Sequence, residues 1–272
     1  MKTAIIGTGR MGTTQARLGR ISGDHIIWTY DISSEASQWF QNEFDVPSMT
    51  SLENADFTDL DLIWLTVTDG NIEQAARNIA QLVNDNTVVM HTSGALNSHI
   101  IKKYLPNAPC ASYHPLMACP LKSVSDQECL SAFTGIVHSY EGDEKAVEVC
   151  KKLATRIHAV GIEISPNDKI LYHAAAVFAA NYPLTLINIT AQLLEKCGFT
   201  QPLALQSAEK MCRQCLISLN KSNPSDALTG PVKRNDTDTI AAHEAALAAF
   251  PDLLDVYQIL KSATQRMLEK NN

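Results

Sequence analysis

Three glycines near the start of the chain limit its fold more than any other feature. The sequence opens MKTAIIGTGRMGTT, and its glycines directly follow a short apolar run. A strand, then Gly-x-Gly-x-x-Gly, then the start of a helix is the arrangement in which a pyrophosphate meets bare backbone at a helix N-terminus. The segment therefore predicts a Rossmann-type unit that binds a dinucleotide through Gly7, Thr8, Gly9, Arg10, Met11 and Gly12.

The first half of the chain alternates between strand-like and helix-like patterns. Short apolar runs rich in β-branched residues are separated by segments with helical periodicity, such as residues 72–82. This alternation predicts a doubly wound parallel sheet with helices on both faces. The predicted strands cover residues 3–6, 26–30, 62–67, 87–90, 110–113 and 135–138, with 159–164 as a further edge strand.

The pattern changes at Ser165, and the rest of the chain reads as helix. Ser165 is a suitable N-cap, Pro166 suits the first helical position, and Asp168 carries a charge that favours a helix N-terminus. We therefore predict an α/β dinucleotide-binding domain over residues 1–164 and an all-α domain over residues 165–272. The helices are predicted at 170–196, 202–219, 237–249 and 253–269, with Pro183 as the breaker in the first.

Asp31 supplies the second half of the dinucleotide signature. It ends the predicted second strand, where an acidic side chain can accept hydrogen bonds from the adenosine ribose, and this favours NAD. Arg10, Ser33 and Ser34 are close enough in sequence to leave NADP open. Alternatively, Asp31 only caps the following helix. We also assign Thr66, Val67 and Thr68, at the end of the third predicted strand, to cofactor binding.

Polar side chains follow the fourth and fifth predicted strands. HTSGA contains His91 and Ser93, and YHPL contains His114. Ligands of open α/β sheets bind at the carboxyl ends of the strands, where a histidine can exchange a proton and a serine can hold a carbonyl or carboxylate oxygen. In the simpler interpretation, Ser93 caps a helix and His114 is a turn residue before proline.

The helical half adds four candidate substrate residues. Lys169 and His173 are four residues apart and so share a helix face, and Asn181 lies further round the same helical segment. Arg234 follows a Gly-Pro turn in TGPVKRND. Its guanidinium could clamp a carboxylate or could pair with Asp236 on the surface.

Composition restricts the partners and the compartment. The formal charge is −7, from 22 basic against 29 acidic residues, so nucleic acid is not an expected partner. The seven scattered cysteines read as reduced thiols of a cytoplasmic protein, and the pair Cys212 and Cys215 lacks the further ligands of a metal site. We find no signal peptide. The most apolar run, residues 174–180, is too short to cross a membrane.

Several of these motifs together resemble one family. GTGRMG, HTSGAL, YHPL, YHAAAVFAAN and GPVKRND followed by His243 are similar to Rossmann-like oxidoreductases with a C-terminal domain of unknown function 2520. These belong to the 6-phosphogluconate dehydrogenase-like superfamily. The resemblance implies a homodimer through the helical domains. The family usually has glycine where this chain has Asn235, which questions the backbone shape at that position.

Two better understood groups in the superfamily suggest roles for the polar residues. Lys169 is similar to the catalytic lysine of 3-hydroxyisobutyrate and 6-phosphogluconate dehydrogenases, although His173 stands where they have asparagine. Ser93 and His114 resemble the serine and histidine of prephenate dehydrogenases.

The sequence therefore predicts an NAD(P)-dependent oxidoreductase that transfers a hydride between nicotinamide and a small carbonyl or imine, with a carboxylate on the substrate. His114, His173 or Lys169 would exchange the proton, and Ser93, Asn181 and Arg234 would orient the substrate. A prephenate dehydrogenase-like enzyme and a non-catalytic protein that senses a dinucleotide are the alternatives.

Overall fold

The computed structural model describes residues 1–219 and 222–269. The chain divides into two compact units, Met1–Ala180 and Asn181–Asn272. The first unit contains the sheet and one further helix after it. The domain boundary expected after residue 164 stays a prediction, because this division reports compactness only.

The first unit is built on a mixed, mostly parallel sheet. Within the described residues it has eight strands in the order β3-β2-β1-β4-β5-β6-β7-β8. Strands β2 and β3 are added on one side of β1 and the later strands on the other side, as in a doubly wound fold. The predicted fold class is thereby confirmed. The strands are β1 (Lys2–Ile6), β2 (His25–Tyr30), β3 (Ser48–Met49), β4 (Leu62–Leu65), β5 (Val88–His91), β6 (Cys110–Pro115), β7 (Val137–Gly142) and β8 (Val160–Glu163).

The direction of the last two strands differs from the expected all-parallel sheet. Strands β1 to β6 are all parallel to one another, but β7 pairs antiparallel with β6. Strand β8 is then parallel to β7. The connection between β6 and β7 does not return across the sheet, since its helix packs against the first helix of the chain instead. Consequently β7 starts at the edge where β6 ends.

Helices cover both faces of this sheet and enclose two main hydrophobic clusters. One cluster contains Ile6, Ile63 and Ile72, and the other contains Ile5, Trp64 and Tyr113. The alternate residues of β1 and β4 thus point to opposite sides, as the pleat requires. The helices are α1 (Arg10–Ile21), α2 (Ser34–Phe44), α3 (Asp69–Ile79), α4 (His99–Lys102), α5 (Asp126–Phe133), α6 (Glu144–Arg156) and α7 (Lys169–Ala180), with a 3-10 turn at Pro166–Asp168 before α7.

The second unit is helical in its described part, as predicted. Pro183 lies in the first turn of its first helix, a position that tolerates proline, and the break from α7 falls at Asn181. The helices are α8 (Tyr182–Lys196), α9 (Gln201–Ser218), α10 (Pro224–Ala227), α11 (Thr237–Leu247) and α12 (Pro251–Glu269).

One sequence-based argument about membranes was wrong. The apolar run at 174–180 is part of a longer, almost continuous helical stretch, Pro166–Lys196, with a window of mean hydropathy 1.4. By length and composition this stretch could cross a membrane. Core helices of soluble proteins pass the same test but are mostly buried, whereas 0% of this window is buried in the part of the chain that the structure describes.

Candidate functional site

The glycine loop connects β1 to α1 in the way that a dinucleotide-binding turn requires. Gly7 has φ +99°, a backbone conformation that favours glycine. A Cβ at Gly12 would lie 2.0 Å from the Gly7 carbonyl oxygen, so only glycine lets the helix pack this closely on the strand. By contrast, a Cβ at Gly9 would meet nothing within 4 Å. The backbone at Gly9 therefore faces open space.

The start of α1 has free hydrogen-bonding capacity. Gly9 is its N-cap, and within the described chain no side chain caps this helix. The first-turn N–H groups and the positive end of the helix dipole are therefore available to a phosphate. Arg10 is exposed in the same turn and Met11 is half-buried. The structure thus brings together the predicted loop residues in a cradle that fits a pyrophosphate.

Asp31 holds the end of β2 against this loop. Its Oδ2 accepts hydrogen bonds from the Thr8 N–H at 2.7 Å and from the Thr8 hydroxyl at 2.9 Å. Its Oδ1 accepts from the Ser33 N–H at 3.0 Å. The N-cap of α2 is Ser33, which accepts from Ala36, so Asp31 does not cap that helix. Asp31 lies beside the glycine loop, as the dinucleotide signature requires.

A cavity of about 160 Å³ opens between the ends of β1, β2 and β4. Val67 lies on its wall, whereas Thr66 is buried and donates its hydroxyl to the carbonyl of Gly7 at 2.6 Å. Thr66 therefore supports the loop from behind, and Thr68 is exposed as the N-cap of α3. The cavity is lined by Ile6, Gly7, Tyr30, Asp31, Ile32, Leu52, Val67, Asn71, Gln74, Ala75 and Asn78.

Lys169 lies at the centre of a second group of polar residues, beside the ends of β5 and β6. Its side chain is fully buried, and its Nζ donates to the Ser93 carbonyl at 2.8 Å and to the Ser112 hydroxyl at 2.6 Å. Burial lowers the pKa of Lys169 to about 8, while the charge of Glu141 opposes this shift. Lys169 thus ties the start of α7 to the loop after β5 and to β6.

Ser93 stabilises its own loop. Its hydroxyl accepts hydrogen bonds from the backbone N–H groups of Ala95 and Leu96, and its side chain is buried. Such a bond to nearby backbone is typical of serine at a turn or helix start. Ser93 does not cap a helix, because the next helix begins only at His99 with Ser98 as its N-cap, so that interpretation was wrong. A substrate role for Ser93 stays a prediction.

His114 and His173 converge beside Gly94. A Cβ at Gly94 would lie 2.9 Å from His114 Nε2 and 2.7 Å from His173 Nδ1, so both nitrogens approach the same point. The two imidazole rings are nearly perpendicular, with centroids 6.3 Å apart. Among the described residues, His173 Nδ1 is buried without a hydrogen-bond partner. The two histidines predicted for the site thus lie together, with one nitrogen left for a ligand.

Burial keeps His91 and His114 neutral. Burial, then the charge of Lys169, lowers the pKa of His114 to about 3, with further contributions from His173 and His138. Burial and Lys169 likewise lower the pKa of His91 to about 3. At neutral pH the His114 imidazole is therefore uncharged, and it acts as a hydrogen-bonding group rather than as a stored proton.

Asn181 and Arg234 belong to the second unit. Asn181 is exposed at the start of α8. Arg234 is also exposed and lies 3.8 Å from Asp236 Oδ2, the surface pairing that the sequence left open. Asn235 adopts φ +53°, so asparagine keeps the left-handed backbone that glycine would allow. The substrate roles of Asn181 and Arg234 stay predictions.

Some residues of the polar group were not found from sequence. Ser112 lies inside β6, Tyr172 contacts His114 Nδ1 at 2.9 Å, and Glu141 is buried with its carboxylate on Ser98. Gly94 leaves the space for the histidines. Tyr172 had one available signal, because it is three residues from Lys169 and so shares its helix face.

Family models match most of the chain. A Rossmann-like domain matches residues 1–111, and the domain of unknown function DUF2520 matches residues 136–264. The protein is therefore a Rossmann-like protein with a C-terminal DUF2520 domain, as the motifs indicated. No curated protein matches the sequence.

Solved structures share this fold at low sequence identity. A Bacteroides fragilis protein assigned as an NADP oxidoreductase has a TM-score of 0.80 at 19% identity, with 97% of this chain and 98% of that chain covered. Plasmodium falciparum pyrroline carboxylate reductase with NADP bound has 0.63 at 14%, with 98% of each covered. Aquifex aeolicus prephenate dehydrogenase, with hydroxyphenyl propionate and NAD+, has 0.57 at 16%, with 99% and 98% covered.

Proposed function

We propose that this protein is an NAD(P)-dependent oxidoreductase that transfers a hydride between nicotinamide and a small carbonyl or imine substrate. The observation that carries the proposal is the presence of two features at the carboxyl edge of one sheet. The first is a glycine loop with open space at Gly9, and the second is a pair of histidine nitrogens converging at Gly94. Ligands of open α/β sheets bind along this edge.

The residues present fit a dinucleotide. The N–H groups at the start of α1 would bind the pyrophosphate, and Asp31 would accept hydrogen bonds from the adenosine ribose. The cavity beside Val67 would hold the adenosine end. When bound, nicotinamide would supply or accept the hydride. The other functions, namely orientation, exclusion of water and control of one proton, belong to the side chains of this chain.

His173 is the residue we assign to the proton. In the reductive direction, a carbonyl oxygen or imine nitrogen gains one proton, which a protonated His173 would give from Nδ1. His114 is neutral and would donate a hydrogen bond to the same substrate atom. Lys169, with two protein acceptors on its Nζ, would fix the loop and the histidine geometry. Asn181, Arg234 and Ser93 would orient the substrate and its carboxylate.

The cofactor is proposed to be NAD, with NADP as the competing choice. Asp31 lies beside Thr8 of the glycine loop, where it would meet the adenosine ribose, and its negative charge would repel a 2′-phosphate. One similar structure contains NADP and another contains NAD+, so the choice rests on Asp31.

Calorimetric titration with NADH and NADPH tests this choice. We expect tighter binding of NADH, and we expect Asp31→Asn to reduce the difference. Equal affinities in the wild type would show that Asp31 does not set the preference. Absence of binding to both would contradict the proposed function as a whole.

Two alternatives keep some support. A prephenate dehydrogenase-like activity is favoured by the similar fold and by the placement of Ser93 and His114 after β5 and at the end of β6. A non-catalytic dinucleotide sensor would need the cofactor site but no proton donor. The unpartnered Nδ1 of His173 supports catalysis, because it lies with His114 Nε2 beside Gly94, where a substrate could accept a proton.

We also propose a cytoplasmic homodimer. Large apolar side chains are exposed on α7, including Ile170 and Leu171 at 67% and 75% exposure. The second unit likewise exposes Leu184 and Met211. Large apolar side chains exposed in this number support an interface on each unit, and a second copy of the chain would cover them. Seven free cysteines support a reducing compartment.

A further inference from the structure

Tyr172 makes a direct hydrogen bond with the imidazole of His114. The Tyr172 hydroxyl lies 2.9 Å from His114 Nδ1, and the two rings are perpendicular, with centroids 5.5 Å apart. Both residues are half-buried in the same compact unit. The bond joins α7 to the end of β6, so it fixes the orientation of the His114 ring as well as one of its nitrogens.

The distances around the hydroxyl assign the direction of this bond. The backbone carbonyl of His114 lies 3.5 Å from the Tyr172 hydroxyl, which is long for an O–H···O bond, whereas His114 Nδ1 lies at 2.9 Å and is the better placed acceptor of the two. Burial raises the pKa of Tyr172, so the phenol keeps its proton, and a hydrogen bond from Ser139 opposes that shift by donating to the oxygen. The phenol proton therefore goes to His114 Nδ1.

This bond determines which nitrogen of His114 carries hydrogen. A neutral imidazole has one N–H, and a nitrogen that accepts a hydrogen bond cannot be the protonated one. With Nδ1 accepting from Tyr172, the hydrogen must be on Nε2. That nitrogen lies 2.9 Å from the position that a Cβ of Gly94 would occupy, and the unpartnered Nδ1 of His173 lies 2.7 Å from the same position.

We propose that Tyr172 is a positioning residue that fixes His114 as the Nε2–H tautomer, so that His114 presents a hydrogen-bond donor to the reacting oxygen or nitrogen of the substrate. The inference rests on the proposed function for its purpose, but not for its geometry. It assigns the two histidines different tasks. His114 donates one hydrogen bond, while His173 presents an acceptor nitrogen when it is uncharged.

Nitrogen NMR of ¹⁵N-histidine-labelled protein tests the proposal without cofactor or substrate. His114→Gln identifies the His114 resonances among the eight histidines. At neutral pH we expect His114 to show a protonated Nε2 and an unprotonated Nδ1 with the shift of a hydrogen-bond acceptor. In Tyr172→Phe, the Nδ1 resonance should move to the position of an acceptor without a partner.

A matched control exists in the second unit, where the Tyr257 hydroxyl lies 3.0 Å from His243 Nδ1 with the rings also nearly perpendicular. Tyr257→Phe should shift the His243 resonances and leave those of His114 unchanged. A protonated Nδ1 on wild-type His114 would overturn the proposal. An unchanged Nδ1 resonance in Tyr172→Phe would also overturn it.

The wild-type spectrum alone reports the tautomer, so the proposal can be tested even if Tyr172→Phe does not fold. The result is also separable from the proposed function. A protein with the expected tautomer that binds no dinucleotide would contradict the proposed function but would support the hydrogen bond from Tyr172 to His114. A protein that binds a dinucleotide with His114 protonated on Nδ1 would contradict only the role given to Tyr172.

Discussion

At the scale of single residues, the three loop glycines have different tasks, and the structure separates them. Gly7 requires its backbone conformation, Gly12 allows close packing, and Gly9 only leaves space in front of the loop. The sequence pattern alone treats all three alike. A substitution at Gly9 should therefore weaken dinucleotide binding, whereas a substitution at Gly12 should lower the stability of the fold.

Gly9→Ala should fold normally and bind dinucleotide at least about tenfold more weakly, since its Cβ meets no protein atom but would stand in the ligand's space. Gly12→Ala should lose stability by about 1–3 kcal/mol, because its Cβ would overlap the Gly7 carbonyl. Urea denaturation and calorimetric titration of both variants check this. Wild-type affinity in Gly9→Ala, or wild-type stability in Gly12→Ala, would contradict it.

At the scale of helices and strands, the sequence predicted most elements because their patterns are local. The runs at β1 and β4 are apolar and largely buried, β2 is rich in β-branched and aromatic residues, and all the predicted strands were found. Strand β3 was missed because two residues carry no periodicity. The antiparallel direction of β7 was missed because the path of the chain before it, through α5, is decided by packing on α1.

The candidate site shows the same limit. A histidine beside an apolar strand, and one that shares a helix face with a lysine, are visible in a sequence, so His114 and His173 were both predicted. Ser112 and Tyr172 look like ordinary strand and helix residues, and their roles come from contacts across 57 and 58 positions of the chain. No local pattern records such contacts.

The exposed helix α7 gives a prediction about assembly. If α7 contributes to the dimer interface, Leu171→Lys should convert a dimer of about twice the 29.8 kDa chain mass to a monomer. Light scattering after size exclusion measures this. Leu82→Lys, which also places a charge on an exposed leucine, is the control. A monomeric wild type that floats with phosphatidylcholine vesicles would favour a membrane role for Pro166–Lys196 instead.

At the scale of the whole molecule, acid should unfold the protein through its buried histidines. Burial lowers the pKa of His91 and His114 to about 3 and that of His138 to about 4. An unfolded chain binds these protons near pH 6.5, so the unfolded state holds more protons below that pH. Stability is therefore fully present above about pH 6.5 and falls toward pH 4, by up to about 1.4 kcal/mol per pH unit for each histidine.

His138→Phe isolates one of these contributions. His138 packs between Tyr113 and Phe133, and in the described chain neither of its nitrogens has a hydrogen-bond partner. Between pH 6 and pH 4.5, the unfolding free energy of the variant should fall less steeply with decreasing pH. The slope should be smaller by roughly the contribution of one bound proton. Urea denaturation across this range measures it, with the exposed His25→Phe as control. The same slope in His138→Phe and wild type would contradict the argument.

Hydride transfer is the central claim, and isotope transfer tests it most directly. The protein is incubated with a protein-free metabolite extract and with NADH or NADPH that carries deuterium on one face of nicotinamide C4. Mass spectrometry then follows the label. The account predicts that the label leaves one face only and appears in a small carboxylic acid, and that Gly9→Ala slows the transfer at cofactor concentrations below saturation. A protein that binds the cofactor but leaves the deuterium on nicotinamide, whichever face carries it, would contradict the account and favour a dinucleotide sensor.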